Sequence, residues 1–525
     1  MPIIRRFIAP SPILYIFALL LVLSSCHGKA GKQSLRAKVP TDSIDNYILH
    51  GMKDWKIPGT ALAIVQNGKL VYARGYGVKK FGEKDPVDEN TVFAIGSNTK
   101  AFTATALVQL VFEGKLSLRA KVTDYLPWFR LKDPLVSQMV TVRDLMCHRI
   151  GLSTWSGDFV AWGSKYTRRE VIERMRYINP TQSFRSDFGY SNTAFVTAGE
   201  IIPVVTDLSW EDYVKQHILV PLQMNRTSLS VAALKSFSDV ATPHTVLHDS
   251  VYVIPYRNLG NLAPAAAMNS SVIDLSHWLL FQMSDSGSYD SKKIMNPNIV
   301  FTTHVPNIIM HELPYYPGTK SDSHFEAYGL GWFLQDYHGR LLVYHDGAVD
   351  GMYSVVAFMP EEKLGFAFLT NCDNHDFIEA ILYKIFDLMM DYPFKNYEQR
   401  IYHDFLVRDS TATHEWGVLG SKAGKEQLPS DAAISYAGDY VNTHYGEARL
   451  VQGKTGLSLL PMEHDGLTGQ LSYMGNDSFI CYWNDKEFYR NVVSFYRKNN
   501  RIAGFRMSIR PDFIDPVEYL FEKKK

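Results

Sequence analysis

Hydrophobic and polar positions follow each other in a fixed order of periods along this chain. Residues 43–55 carry helical spacing, which Pro58-Gly59 breaks. Two strand-like runs follow, 60–65 and 70–76, joined by Gln66-Asn67-Gly68-Lys69, a strong hairpin signal. A β-branched and aromatic run, Thr91 to Ile95, leads through Gly96 into a helix predicted over 101–113, with Gly114 just past its end. Helical patterns dominate from there to about residue 283, interrupted by loops at 151–165 and 247–263. Ser271-Val272-Ile273-Asp274 reads as a capped helix start. Strands resume at 328–335, 340–344, 353–359 and 364–370, and a last helix spans about 377–390.

Strands, then helices, then strands, then a helix predict an α+β fold. One antiparallel sheet is assembled from both ends, with a helical region inserted between them. Residues 393–432 read as a connector, with a short helix around 397–407 followed by polar sequence. From Tyr436 onward short alternating runs recur at 448–451, 456–460, 478–483, 492–496 and 502–509. Turn residues separate them, which predicts a small all-β unit over 433–525, a barrel or a sandwich.

Length makes two domains the default, and a hydrophobic content of 46% with 21% charged residues fits a globular protein. Lys plus Arg equals Asp plus Glu at 54 each, so no net field favours nucleic acid. The N-terminus reads as an address: Arg5 and Arg6 precede an apolar run of the length of a signal-peptide core, ending in Leu23-Ser24-Ser25-Cys26. That ending resembles the bacterial lipobox, which implies cleavage before Cys26 and its lipidation, with 27–41 as a tether. The expectation is an exported lipoprotein held on a membrane, facing the periplasm or cell surface. Three cysteines remain, Cys147, Cys372 and Cys481, an odd number that cannot pair fully.

Candidate chemistry centres on Ser97-Asn98-Thr99-Lys100. Residues three apart on a helix are neighbours, so the Lys100 amine can fold back onto the Ser97 hydroxyl and activate it. The helix start adds backbone N–H groups that suit a developing oxyanion. Apolar neighbours imply a buried face, where an unpaired lysine is costly. Two further elements offer partners. In Tyr190-Ser191-Asn192 the phenol can relay a proton and the amide can bind a substrate. In His345-Asp346-Gly347-Ala348, which ends an apolar strand, Gly347 lets a substrate backbone come close.

Three ordered motifs, Ser-x-x-Lys, Tyr-Ser-Asn and His-x-Gly, resemble the serine β-lactamase and penicillin-binding-protein superfamily, in particular class C-related esterases and D-peptidases. Pro58-Gly59, the stretch from Asp144 to Leu152 and Tyr328-Gly329-Leu330-Gly331-Trp332 match as flanks, and the resemblance covers about 42–392. It implies a β-lactamase-like fold and an acyl-enzyme on Ser97, with Lys100 or Tyr190 as base. Asn192, His345, Gly347 and Ala348 would bind substrate, the N–H groups of Ser97 and Ala348 forming the oxyanion hole. The segment after 432 resembles an appended lipocalin-like domain.

Many β-lactam-binding members carry Lys-Thr-Gly as the third motif, and here His345 replaces the lysine. A histidine of ordinary pKa is mostly neutral at pH 7, which weakens carboxylate anchoring and favours an esterase or peptidase. Lys454-Thr455-Gly456 is a decoy in the β unit. No His-Glu-x-x-His occurs, so neither metal nor cofactor is expected. The expected function is hydrolysis of an ester or amide, β-lactam-like bonds included, in a small-molecule or peptide substrate. The alternative is a non-catalytic penicillin-binding or cell-wall sensor lipoprotein, and a third possibility makes the β unit a small-ligand carrier. Oligomeric state is open.

Overall fold

The computed structural model describes residues 38–310, 323–373, 375–393, 395–423, 428, 430–453, 456–510 and 514–525. Cys26 with its leader, and Lys454 and Thr455 of the decoy, lie outside them.

The chain enters through helix α1 (Thr41–Asp54) and the hairpin of β1 (Gly59–Gln66) and β2 (Lys69–Gly77). Asn67 and Gly68 both take positive φ, 51° and 75°, as a tight two-residue turn between twisted strands requires. The remaining sheet strands come from far along the chain: β3 (Ile308–Ile309), β4 (Glu326–Tyr328), β5 (Phe333–Tyr337), β6 (Arg340–Val349), β7 (Met352–Met359) and β8 (Leu364–Thr370). Their order across the sheet is β2-β1-β8-β7-β6-β5-β4-β3. The sheet is therefore closed up from both ends of the segment, as the α+β expectation requires. Thr60 pairs with Thr370 and Gln66 with Leu364, seating the first strand against the last. Helices α1 and α6 (Phe377–Met390) cover one face; the inserted helical region, with α2 (Thr99–Phe112), α4 (Asn192–Gly199) and α5 (Val272–Gln282), covers the other.

Three local expectations change. The run 328–335 is not one strand: Gly329 to Trp332 folds into a turn, with Gly331 at φ 76°, and separates β4 from β5. A Cβ on Gly331 would lie 2.8 Å from the Lys100 carbonyl oxygen, so this turn packs directly on the start of α2. Strand β6 continues to Val349, because Met352–Met359 pairs with it along its whole second half. The connector is a 27-residue helix, α7 (Tyr397–Ala423), rather than a short helix and a loop. It lies along barrel strands Gly469–Gly475 and Ser478–Trp483, and its first turn is anchored by the buried Tyr397 and Ile401.

From Gly438 to Lys523 eight antiparallel strands form a closed barrel. Three of them, Gly438–Asn442, Gly469–Gly475 and Asp515–Lys523, escape the sequence pattern because Gly, Asp, Asn and Pro positions interrupt their alternation. The interior is filled by the barrel's own rings, Tyr440, Phe495, Phe505 and Phe521 among them, with centroids 4.6–6.3 Å apart. Leu457, Leu459 and Ile480 are buried as well, but Tyr482 points outward at 37% exposure. Cys481 packs in the core instead, because neighbouring residues of a strand face opposite ways.

Candidate active site

From Thr91 to Val108 every residue is buried except Ser97. The apolar strand and helix are driven into the core, and a single turn (Gly96–Asn98) brings one hydroxyl back out to a cavity of about 190 Å³. Gly96 takes φ 49°, and a Cβ there would lie 2.8 Å from the Ala348 nitrogen. A Cβ on Gly347 would lie 2.0 Å from the Ile95 carbonyl oxygen. Both glycines are needed for close approach, and the backbone that Gly347 admits is the chain's own, at Ile95, rather than a substrate's. Asn98 donates to Ser354 at 2.8 Å and Ser354 donates to the Ile95 carbonyl at 2.8 Å, fastening the nucleophile turn to β7.

Lys100 is fully buried. Its Nζ lies 2.9 Å from Ser97 Oγ, 2.6 Å from Asn192 Oδ1 and 3.0 Å from the Ala265 carbonyl oxygen, and 4.6 Å from the Tyr190 ring centroid. Burial lowers its pKa from 10.5 to about 7, while the Asp158 and Asp346 charges resist the fall. A neutral amine has two N–H donors and one lone pair. Asn192 Oδ1 and Ala265 O can only accept, so they take the two donors and leave the lone pair to face the Ser97 hydroxyl. That is the arrangement of a general base beside its nucleophile.

Tyr190 and Asn192 bracket the start of α4. Ser191 between them caps that helix, accepting from the Ala194 N–H at 3.2 Å, so its role is structural. The Tyr190 ring stacks on His148 with centroids 4.3 Å apart, and the Ser191 N–H donates to His148 Nδ1 at 3.0 Å. His148 itself sits at φ 57°. Burial raises the Tyr190 pKa well above 10, and hydrogen bonding with Ser97 partly opposes this. The phenol therefore stays protonated.

His345, expected among the substrate-binding residues, occupies a different place. It is fully buried, its Nε2 is 2.9 Å from the Tyr328 hydroxyl, and its Nδ1 bonds the Asp346 carbonyl oxygen. Burial drops its pKa to about 3, so the ring stays neutral. Residues of β6 alternate in direction, and Asp346 and Ala348, rather than His345, line the cavity.

Two residues of consequence carry no motif signal. Asp158 heads the short helix α3 (Asp158–Ala161) inside the predicted loop 151–165, and its Oδ2 accepts from Asn192 Nδ2 at 2.6 Å. A carboxylate on that side fixes which way the amide points, and so keeps Asn192 Oδ1 toward Lys100. Asp515, from the last barrel strand, accepts the N–H groups of Gly157 at 3.1 Å and Phe159 at 3.0 Å. Phe159 stacks on His464 (4.7 Å) and Tyr445 (5.0 Å) of the barrel, and Glu487 and Ile514 line the cavity. The barrel thus holds the segment that holds Asn192.

An antiparallel sheet with an inserted helical region, and a Ser-Lys-Tyr cluster at their junction, are the features of the β-lactamase and penicillin-binding-protein superfamily. The family model described as Beta-lactamase matches residues 44–385, and the chain belongs to that family. Protein flp of Staphylococcus aureus (strain MW2) is 28% identical over 337 residues, 63% of this chain, which spans 63% of the length of that protein. The unguisins hydrolase ungD' of Aspergillus campestris is 28% identical over 377 residues, covering 67% of this chain and 66% of its own. Among solved structures, the octameric penicillin-binding protein homologue from Pyrococcus abyssi aligns over 92% of this chain and 100% of its own, with TM-score 0.58 and 22% identity. A class C β-lactamase aligns over 66% of this chain and 95% of its own, with TM-score 0.54 and 22% identity.

Proposed function

We propose that this chain hydrolyses an ester or amide bond through an acyl-enzyme on Ser97. The observation that carries this is the Lys100 amine, 2.9 Å from Ser97 Oγ with its other two neighbours both obligate acceptors. In the first step Ser97 Oγ attacks the substrate carbonyl carbon and its proton passes to Lys100 Nζ. The carbonyl oxygen becomes an oxyanion facing the backbone N–H groups of Ser97 and Ala348. The carbon–leaving-group bond then breaks, and the leaving atom takes a proton from Tyr190, which Lys100 resupplies. Water repeats the sequence on the acyl-enzyme: it attacks the ester carbon, loses a proton to the Lys100–Tyr190 pair and returns the hydroxyl to Ser97.

A neutral, buried His345 gives no cation for a substrate carboxylate, which favours ester and peptide substrates over β-lactams. A relative named as a hydrolase, the unguisins hydrolase ungD', supports the hydrolytic reading. Export and lipid anchoring through Cys26 are part of the proposal and rest on the leader sequence alone. The test is a panel of nitrocefin, short acyl esters and D-amino-acid amides, with a fluorophosphonate probe and peptide mass mapping. Turnover with the adduct on Ser97, both lost in Ser97→Ala, is expected. Turnover that survives Ser97→Ala would overturn the proposal.

A further inference from the structure

Six acidic side chains line the cavity, Asp158, Asp346, Asp350, Asp373, Glu379 and Glu487, and among its described lining residues no lysine or arginine appears. Most of these carboxylates are already engaged. Asp350 is held by Arg257 and by the Trp162 indole N–H at 2.7 Å. Glu487 has Arg510 at 3.4 Å and shares a hydrogen bond with Asp373, which also accepts from the Gly351 N–H. Glu379 has contacts of its own.

Asp346 and Asp158 differ. Asp346 follows His345 on β6, precedes the Gly347-Ala348 pair that meets the nucleophile turn, and leaves 43% of its side chain open to the lumen. Its nearest side-chain nitrogen in the described ion pairs is His345 Nδ1 at 4.0 Å, on a ring that stays neutral. Asp158 is only 3% exposed and lines the same cavity; Asn192 takes its Oδ2, and its Oδ1 has no hydrogen-bond partner among the described residues. That oxygen is enclosed rather than open to the lumen, so Asp158 acts on the site through its neighbours and not by touching a ligand. Both residues lie close enough to Lys100 and Tyr190 for their charges to be felt there. Burial pushes both carboxyls above the usual carboxylate range, Asp158 well above it, and among the described lining residues no lysine or arginine offsets this. The walls beside them are aromatic: Trp155, Phe188, Tyr190 and Phe333, faces that attract a cation.

We propose that Asp346 forms a subsite for a protonated amine, so that the substrate of Ser97 carries an ammonium group near its scissile bond. This rests on the hydrolase reading above for its meaning but not for its test. An ammonium supplies the N–H donors and the positive charge that Asp346 lacks. A carboxylate-bearing substrate would meet like charge at the same place.

The subsite can be read without catalysis. In Ser97→Ala, binding of benzylamine, benzyl alcohol and benzoate is measured by calorimetry at low and high salt. Benzylamine is expected to bind about 10- to 100-fold more tightly than the neutral analogue, and less so as salt rises. Asp346→Asn, or Asp346→Ser should the first fail to fold, is expected to remove most of that preference. In the wild-type protein, 4-(aminomethyl)phenyl, 4-methylphenyl and 4-carboxyphenyl esters place the charge on the leaving side. Alanine p-nitroanilide and its N-acetyl form place it on the acyl side. One arm should show the same order in kcat/KM. Equal binding of the three benzyl compounds, or a preference that survives both Asp346 variants, would overturn the subsite. Charge-selective binding with no turnover and no Ser97 adduct would instead sustain the subsite and remove the hydrolase reading.

Discussion

Acid should switch this site off through Lys100, at a pH far from that of an ordinary lysine. With a pKa of about 7 rather than 10.5, about half of the amine is free base at pH 7. An unperturbed lysine would offer about one molecule in three thousand. Burying the ammonium therefore costs about 5 kcal/mol, and that cost is what makes the base available. Since kcat/KM reports the free enzyme, it should rise tenfold per pH unit below 7, from about a tenth of its maximum at pH 6, and level off above 8. Asp158 and Asp346 both hold the Lys100 pKa up, so Asp346→Asn should move the acid limb to lower pH. The assay is initial-rate hydrolysis of one neutral ester from pH 5 to 9.5, with Ser97→Ala as blank. Stability gives a second readout. Between about pH 7 and 10.5 the unfolded chain keeps a proton that the folded chain has released. Folding should therefore strengthen with rising pH by about 1.4 kcal/mol per unit from this group, a slope absent in Lys100→Met. An acid limb at or above pH 9 in the wild-type protein would refute the reasoning.

Other perturbations test separate parts of the geometry. Gly347→Ala places a Cβ 2.0 Å from the Ile95 carbonyl and 2.6 Å from Ser354 Oγ, and should lower kcat/KM by about 100-fold or more by displacing the nucleophile turn. The His345 imidazole, with its pKa near 3, should show no NMR titration between pH 5 and 8, and His345→Ala should cost about 1–3 kcal/mol in urea melts by stranding the Tyr328 hydroxyl. Asp515→Ala releases the N–H groups of Gly157 and Phe159. It should lower kcat/KM by about tenfold while near-UV circular dichroism shows the barrel still packed. Asp158→Leu leaves Asn192 free to turn its amide and should cost activity through kcat rather than KM.

Local sequence was enough for whatever depends on a few neighbouring residues. Asn67-Gly68 specifies its hairpin because only such residues accept positive φ cheaply. Ser97 and Lys100 meet because three residues make about one helical turn. Helix α6 and strand β8 are readable because their apolar periods are long and uninterrupted. The motif set also placed Tyr190 and Asn192 beside them, through resemblance rather than through period. Tertiary structure alone decided which face of β6 looks into the cavity, turning Asp346 toward the lumen and His345 into the core. It also decided that Asp158, in a stretch read as loop, would orient Asn192, and that a barrel residue, Asp515, would hold that stretch in place. A short-range pattern cannot report these contacts, since the partners lie from 34 to 358 residues apart and chemistry between them exists only once packing has excluded water. The same burial that hides Lys100 from solvent gives it a working pKa, and burial is a property of the assembled core, not of the residue.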